Sequence, residues 1–264
     1  MNRKPYPSSL SDAVTITRVA DRHWHALHDD RVTGRGYAEH RPDGRLFVSI
    51  DAWHDATFDL LAEAMVADLP APLYTVVDEA DVDLTAGWRR AGFTIRRREW
   101  EYVVPTDPRV TGLDGVLPPS GVTIVPAGQA DEHLLRAADR AIRDEVDAAV
   151  GWWQSMPAEV IPRTEGDTIV DPAKYAVAAA PDRYLGLIRV APVTRRPRIG
   201  LIAVRAGERR RGIARALLAH ALGSLHRSGF DAAWAEIHES NRAASALFEG
   251  IGAQSVSSNL ELVR

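Results

Sequence analysis

Apolar and polar positions along this chain fall into two successive runs of similar elements. In the first run, residues 14–19 alternate as a strand and residues 20–30 are expected to be helical. Residues 36–40 and 45–50, joined by Pro42-Asp43-Gly44, predict a β-hairpin. Residues 57–69 carry apolar side chains at helical spacing up to Pro70, residues 73–77 read as a strand, and residues 82–91 as a helix closed by Gly92. A strand over 93–104 completes the run. Residues 105–121, rich in Pro and Gly, have no periodic apolar pattern and are expected to be a linker. The second run opens with a strand at 122–125, a long helical region from Ala130 to about Trp153, a strand at 175–179 and a hairpin of 184–190 with 199–204. Ile213, Ala216, Leu217, His220, Ala221 and Leu225 then recur near a 3.6-residue period. A strand at 232–237, a helix at 242–250 and a final strand end the chain.

The likeness of the two runs can be tested on the letters. A shift of 160 positions lays residues 236–264 on 76–104 without a gap. The identical pairs are Glu239/Glu79, Ala246/Ala86, Gly252/Gly92, Glu261/Glu101 and Val263/Val103. Five identities in 29 positions gain weight from the shared order of elements upstream, and together they predict an internal duplication. The expected organisation is a first unit over 12–105, a linker over 106–120 and a second unit over 121–264.

Composition narrows the function classes. A hydrophobic content of 45% with 26% charged residues is that of a soluble globular chain, and 264 residues allow two domains. The net charge of −4 offers no global basic field for nucleic acid. There is no cysteine, which excludes disulfides, thiolate catalysis and cysteine-ligated zinc. No apolar run approaches the roughly 18 residues of a membrane helix, and Met-Asn-Arg-Lys-Pro lacks a signal-peptide core, so a cytoplasmic protein without membrane contact is expected.

Two motifs carry chemistry. The first joins the apolar strand ending at Val204 to the helix beginning near Ile213, through Arg205, Arg209, Arg210, Arg211 and Gly212, with Arg215 inside the helix. A helix N-terminus preceded by free backbone N–H groups is an anion site, and Gly212 lets the backbone approach a phosphate. Neither a P-loop nor a Rossmann fingerprint is present. The spacing Arg209-x-x-Gly212-x-Ala214 instead resembles the acetyl-CoA pyrophosphate loop of the GCN5-related N-acetyltransferases (GNAT superfamily). The second motif, from Glu236 through Asn241, Ala244 and Leu247 to Gly252, resembles another signature of that family. Asn241 can also cap the helix that follows it.

The resemblance implies a mixed α/β sheet whose central strands splay to admit acetyl-CoA as co-substrate, with no metal. Pantetheine is then expected beside Ile202, Ala203 and Val204, pyrophosphate on the N–H groups of Arg209, Arg210, Arg211, Gly212, Ile213 and Ala214 with Arg215 a further cofactor contact, and Asn241 near the pantetheine arm. A tandem arrangement with one degraded copy resembles mycothiol synthase and its relatives within the family. The first unit is expected to be the degenerate copy. Its helix entry at 51–57 has no Gly and no Arg, and Asp51 and Asp55 would repel a pyrophosphate. A match at Arg31–Gly36 precedes the hairpin rather than the relevant helix and is read as a turn.

The implied chemistry is direct attack of an amine on the thioester, which needs orientation, a proton acceptor and a proton for the leaving thiolate. Glu236 is the candidate base, with His238 on the same strand face as the runner-up. Phe248 stands where many family members have Tyr, so Tyr184, Tyr175, a water or an unassisted thiolate must serve, or the domain binds acyl-CoA as a non-catalytic sensor. Trp152, Trp153 and Glu145 are candidates for walling a cationic amine acceptor. The acceptor is expected to be a small molecule, and the chain a monomer or homodimer. His23, His25 and His28 are not read as a metal site, since i and i+2 do not share a helix face.

Overall fold

The computed structural model describes residues 14–41, 44–149, 170–191 and 196–264. The first unit comprises β1 (Thr15–Ala20), β2 (His23–His28), β3 (Arg31–His40), β4 (Leu46–Ala52), α1 (Asp55–Asp68), β5 (Leu73–Asp78), α2 (Val82–Arg90) and β6 (Thr94–Pro105). A short α3 (Pro108–Thr111) follows. The second unit comprises β7 (Thr123–Val125), α4 (Glu132–Ala149), β8 (Tyr175–Ala179), β9 (Tyr184–Ala191), β10 (Arg198–Val204), α5 (Ile213–Arg227), β11 (Ala232–His238), α6 (Arg242–Glu249) and β12 (Gln254–Val263).

The twelve strands of the described residues join in one sheet, and its order shows how the units are built together: β1-β2-β3-β4-β5-β12-β6-β11-β10-β9-β8-β7. The last strand of each unit leaves its own neighbours and enters the other half. β12 pairs antiparallel with β5, β6 pairs antiparallel with β11, and β6 and β12 pair with each other at the centre. The registers obey the 160-residue shift. Gln254↔Val103 maps onto Val263↔Thr94, and Ser257↔Glu101 maps onto Glu261↔Arg97. Asn259↔Glu99 maps onto itself, so a local two-fold axis passes through that pair. Even the bulges correspond, one between Ser255 and Ser257 and the other opposite Arg96. The duplication read from five identities is therefore a repeat of backbone pairing.

The exchange is held by apolar burial. Leu260 and Leu262 of β12 lie in a core with Phe58, Leu61 and Met65 of α1 and Trp88 of α2. Tyr102 and Val104 of β6 lie in a core with Ile213, Leu217 and Ala221 of α5 and Phe248 of α6. Because Leu260 pairs with Arg98, which shares its strand face with Tyr102, these four helices cover one face of the sheet. On the opposite face α4 packs Leu135, Ala138 and Ile142 over Tyr175, Val177, Leu187 and Leu201.

Two expectations are corrected. Residues 23–28 form β2 and not part of a helix: Trp24 and Ala26 are buried at period two, with His23 and His25 on the opposite strand face. His23 and His25 thus do share a face, which removes the stated ground for setting the histidines aside, while no group of three metal-binding side chains occurs among the described residues. The region expected as a linker is packed rather than loose. Asp107 caps α3 by accepting from the Arg109 N–H, Leu113 is 4% exposed in the core beneath α5, and Arg215 donates to the Gly112 carbonyl at 2.8 Å.

Candidate active site

The site begins where β10 and β11 part. These strands run parallel and pair only at Arg198↔Trp234 and Ile199↔Ala235. Just beyond, the register of β10 against β9 shifts between Ile199 and Leu201, at Gly200. A bulge re-aims the strand that carries it, and a small open cleft of about 50 Å³ follows, lined by Ile202, Glu236, His238, Asn241 and Phe248 among others. A splayed parallel pair leaves backbone groups of both strands unpaired toward the cleft, where an extended ligand arm can bond to them.

At the far end of β10 the chain takes eight residues to reach α5. Arg210 lies at φ 65° and Gly212, the N-cap of α5, at φ 88°. This left-handed pair turns the backbone so that its N–H groups converge, a geometry that glycine adopts without steric cost. Among the described residues, the N–H groups of Arg210, Arg211, Gly212, Ile213, Ala214 and Arg215 have no protein acceptor, and the first turn of α5 has no acidic residue. Six unpaired donors at the positive end of a helix form a cradle for a diphosphate.

The arginines divide their work. Arg209 donates to the Val204 carbonyl at 3.2 Å, Arg211 pairs with Glu208, and Arg215 is turned toward Gly112. Arg205 is held by Glu145 at 2.6 Å, and the same carboxylate accepts from the Ala206 N–H at 2.6 Å. Burial raises the Glu145 pKa, but the Arg205 and Ala206 bonds and the charges of Arg205 and Arg209 outweigh it and hold the carboxyl below its ordinary value. Glu145, expected at the acceptor wall, thus braces the entry to the anion loop. Trp152 and Trp153 lie outside the described residues.

Of the expected catalytic groups, Glu236 and His238 lie on the β11 face away from α5 and α6, since Ala233, Ala235 and Ile237 fill the core on the other side. Glu236 is ion-paired with Arg198. His238 Nδ1 accepts the Ser240 N–H at 3.1 Å and meets the Ser240 hydroxyl at 2.8 Å. A backbone N–H can only donate, so the ring proton of the neutral imidazole sits on Nε2. Burial, then the charges of Arg97 and Arg96, hold this histidine below its ordinary pKa against the opposing charge of Glu239. Asn241 caps α6 by accepting from the Ala244 N–H at 3.1 Å, which leaves its amide nitrogen for a ligand.

Phe248 is 2% exposed beside the cleft. The Tyr184 hydroxyl accepts the Asp131 N–H at 2.8 Å and is committed to the start of α4. Tyr102, reaching in from β6, bonds Glu249 at 2.9 Å on α6. One group absent from the sequence reading stands out. Arg98 of β6 binds Glu79 at 2.6 Å and Glu239 at 2.9 Å, linking the two equivalent turns, one of which carries His238 and Asn241. The identity Glu239/Glu79 was the available signal.

Comparison with known proteins agrees with this geometry. Residues 139–253 match the model of the acetyltransferase (GNAT) family. No curated protein matches the sequence. Among solved structures, a GCN5-related N-acetyltransferase from Sphaerobacter thermophilus is 17% identical with a TM-score of 0.59, covering 94% of this chain and 82% of its own. A tandem GNAT protein from the clavulanic acid biosynthesis pathway is 14% identical with a TM-score of 0.62, covering 92% of this chain and 82% of its own. A GCN5-related N-acetyltransferase from Kribbella flavida is 16% identical with a TM-score of 0.57, covering 95% of this chain and 89% of its own. At these identities the solved structures speak for the fold, and the family model covers the cleft, the anion loop and α6. Residues 139–253 thus match the acetyltransferase (GNAT) family, and the chain as a whole has the fold of GNAT acetyltransferases, a tandem GNAT protein included.

Proposed function

We propose that the second unit transfers the acetyl group of acetyl-CoA to a primary amine of a small molecule, in the cleft between β10 and β11. The observation that carries this reading is that β10, which walls the cleft, runs on into the loop bearing the six unpaired N–H groups at 210–215. Pantetheine lies along Ile202, Ala203 and Val204, the diphosphate rests on the cradle, and the thioester comes to the strand face that bears Glu236. The amine attacks the thioester carbonyl and Glu236 takes its proton. His238 is left as a donor through Nε2, because its Nδ1 lone pair is engaged by Ser240. Phe248 has no proton to give the departing thiolate, and the Tyr184 hydroxyl accepts the Asp131 N–H and so keeps its own proton, which leaves Tyr184, Tyr175 or a water to supply it.

The test is release of CoA from acetyl-CoA in the presence of amine panels. Glu236→Gln is expected to lower kcat by about 10²- to 10⁴-fold, the usual worth of a general base, while acetyl-CoA affinity stays within about twofold, well under 1 kcal/mol. Equal turnover in the variant would remove Glu236 as base. Tight acetyl-CoA binding with no turnover on any amine would favour a non-catalytic acyl-CoA sensor.

A further inference from the structure

On the same sheet face as Glu236, directly opposite it on the neighbouring strand, stands Glu101. Glu101 belongs to β6, the strand the first unit lends to the second. Like charges directly opposite each other destabilise a sheet unless something compensates. Glu236 has Arg198. Glu101 is part-buried and, among the described residues, has the Ser257 hydroxyl as its bonding partner and no cation.

The internal repeat shows what compensation looks like. The counterpart of Glu101 is Glu261, which is buried and bound by two guanidiniums, Arg45 at 2.9 Å and Arg96. Arg45 stacks over Tyr74, 4.9 Å from the ring centroid. In the second unit Trp234 takes the place of Tyr74 and carries Arg196 at 4.6 Å, but no arginine continues to Glu101. The reason is legible at the bulge: the counterpart of Arg96 is Val256, 52% exposed. One unit has its carboxylate stoppered by arginine; the other presents it beside the reacting centre.

The geometry points to Glu101 as the cation-recognising residue of the acceptor site, selecting amines that carry a second cationic group about 5 Å from the reacting nitrogen, the distance between directly opposed strand positions. This rests on the amine-transfer reading above. The attacking nitrogen gives its proton to Glu236, while the second group stays protonated and pairs with Glu101. A strand of the degenerate unit thereby becomes part of the specificity of the active one.

The test compares diaminobutane with butylamine as acceptors for the full-length chain, its Val256→Arg variant and its Glu101→Gln variant. Val256→Arg restores the stopper at an exposed position and does not disturb the core. The unaltered protein is expected to favour the diamine in kcat/KM by about 10- to 100-fold, the worth of a charge-assisted hydrogen bond. Both variants are expected to lose most of that preference through a higher KM for the diamine, with kcat and acetyl-CoA affinity moving about threefold or less. No preference in the unaltered protein, or a preference that survives both substitutions, overturns the assignment of Glu101. Acetyl-CoA binding with neither amine acetylated overturns the amine-transfer reading and the assignment with it, a pattern distinct from the first two.

Discussion

The two halves of this protein share a backbone plan and differ where a cofactor would touch it. β4 and β5 pair at Leu46↔Leu73 and Phe47↔Tyr74 and then part, as β10 and β11 do. In the first half the strand then reaches its helix through Trp53 and His54 alone, with Asp55 in the first turn of α1 and no side-chain cap at His54. In the second half eight residues intervene, two of them at positive φ, and no acidic residue opens the helix. The short connection has no positive-φ residue to turn its N–H groups together, and Asp55 opposes a phosphate. Among the described residues, the run of unpaired N–H groups set by two positive-φ positions belongs to the second copy. In the first copy α1 closes tightly on β3, where a Cβ on Gly36 would come within 2.4 Å of the Met65 sulfur.

That comparison can be broken first at the exchanged strands. Leu262 is fully buried in the core of the half to which it does not belong by sequence. Leu262→Ala is expected to cost about 2–5 kcal/mol and to lower the stability of the chain as one unit. Chemical denaturation followed by near- and far-ultraviolet dichroism should show a single transition that moves as a whole. Two separable transitions, with only one shifted, would mean that the halves fold independently.

A smaller effect is expected at the clasp between the equivalent turns. Arg98→Gln breaks the bonds to Glu79 and Glu239, which are about a third or more exposed, and should cost about 0.5–1 kcal/mol. The Glu79 carboxyl is held below its usual value of 4.5 chiefly by its bond to Arg98, with Ser258 adding to this and burial opposing it. A depressed carboxylate contributes stability above its unfolded pKa and loses it as pH falls through the folded one. The stability gap between the two proteins is therefore expected to be full at neutral pH and to shrink as pH drops beneath 4.5. A gap that does not change with pH would show that the clasp is not an ion pair in solution.

Much of the fold was legible because the signals were local. The apolar period of α5, the Asn241 cap of α6 and the turn at Gly92 each depend on residues a few positions apart. The 160-residue repeat was legible too, since both copies kept the apolar-Glu-apolar-Val ending. The exchange of β6 and β12 was not, because alternation shows which face of a strand is buried and is silent on which strand lies beside it. β2 was misread because its polar positions are histidines, and short runs such as Trp24-His25-Ala26 fit either period. The role of Glu145 was hidden for a third reason: its partner Arg205 is 60 residues away, joined only by the packing of α4 over the sheet. Loop chemistry read well from sequence, while the partners of single charges needed the structure.

The most direct test of a tandem scaffold with one working cradle is the stoichiometry of acetyl-CoA binding, measured by titration calorimetry on the intact chain and on Gly212→Asp. The substitution forces a side chain into a left-handed position and adds a carboxylate to the diphosphate cradle. One acetyl-CoA per chain is expected for the unaltered protein, with affinity reduced by about 100-fold or more in the variant, roughly 3 kcal/mol. Two molecules per chain, or one that binds Gly212→Asp as tightly as before, would contradict the assignment of the cofactor to the second half.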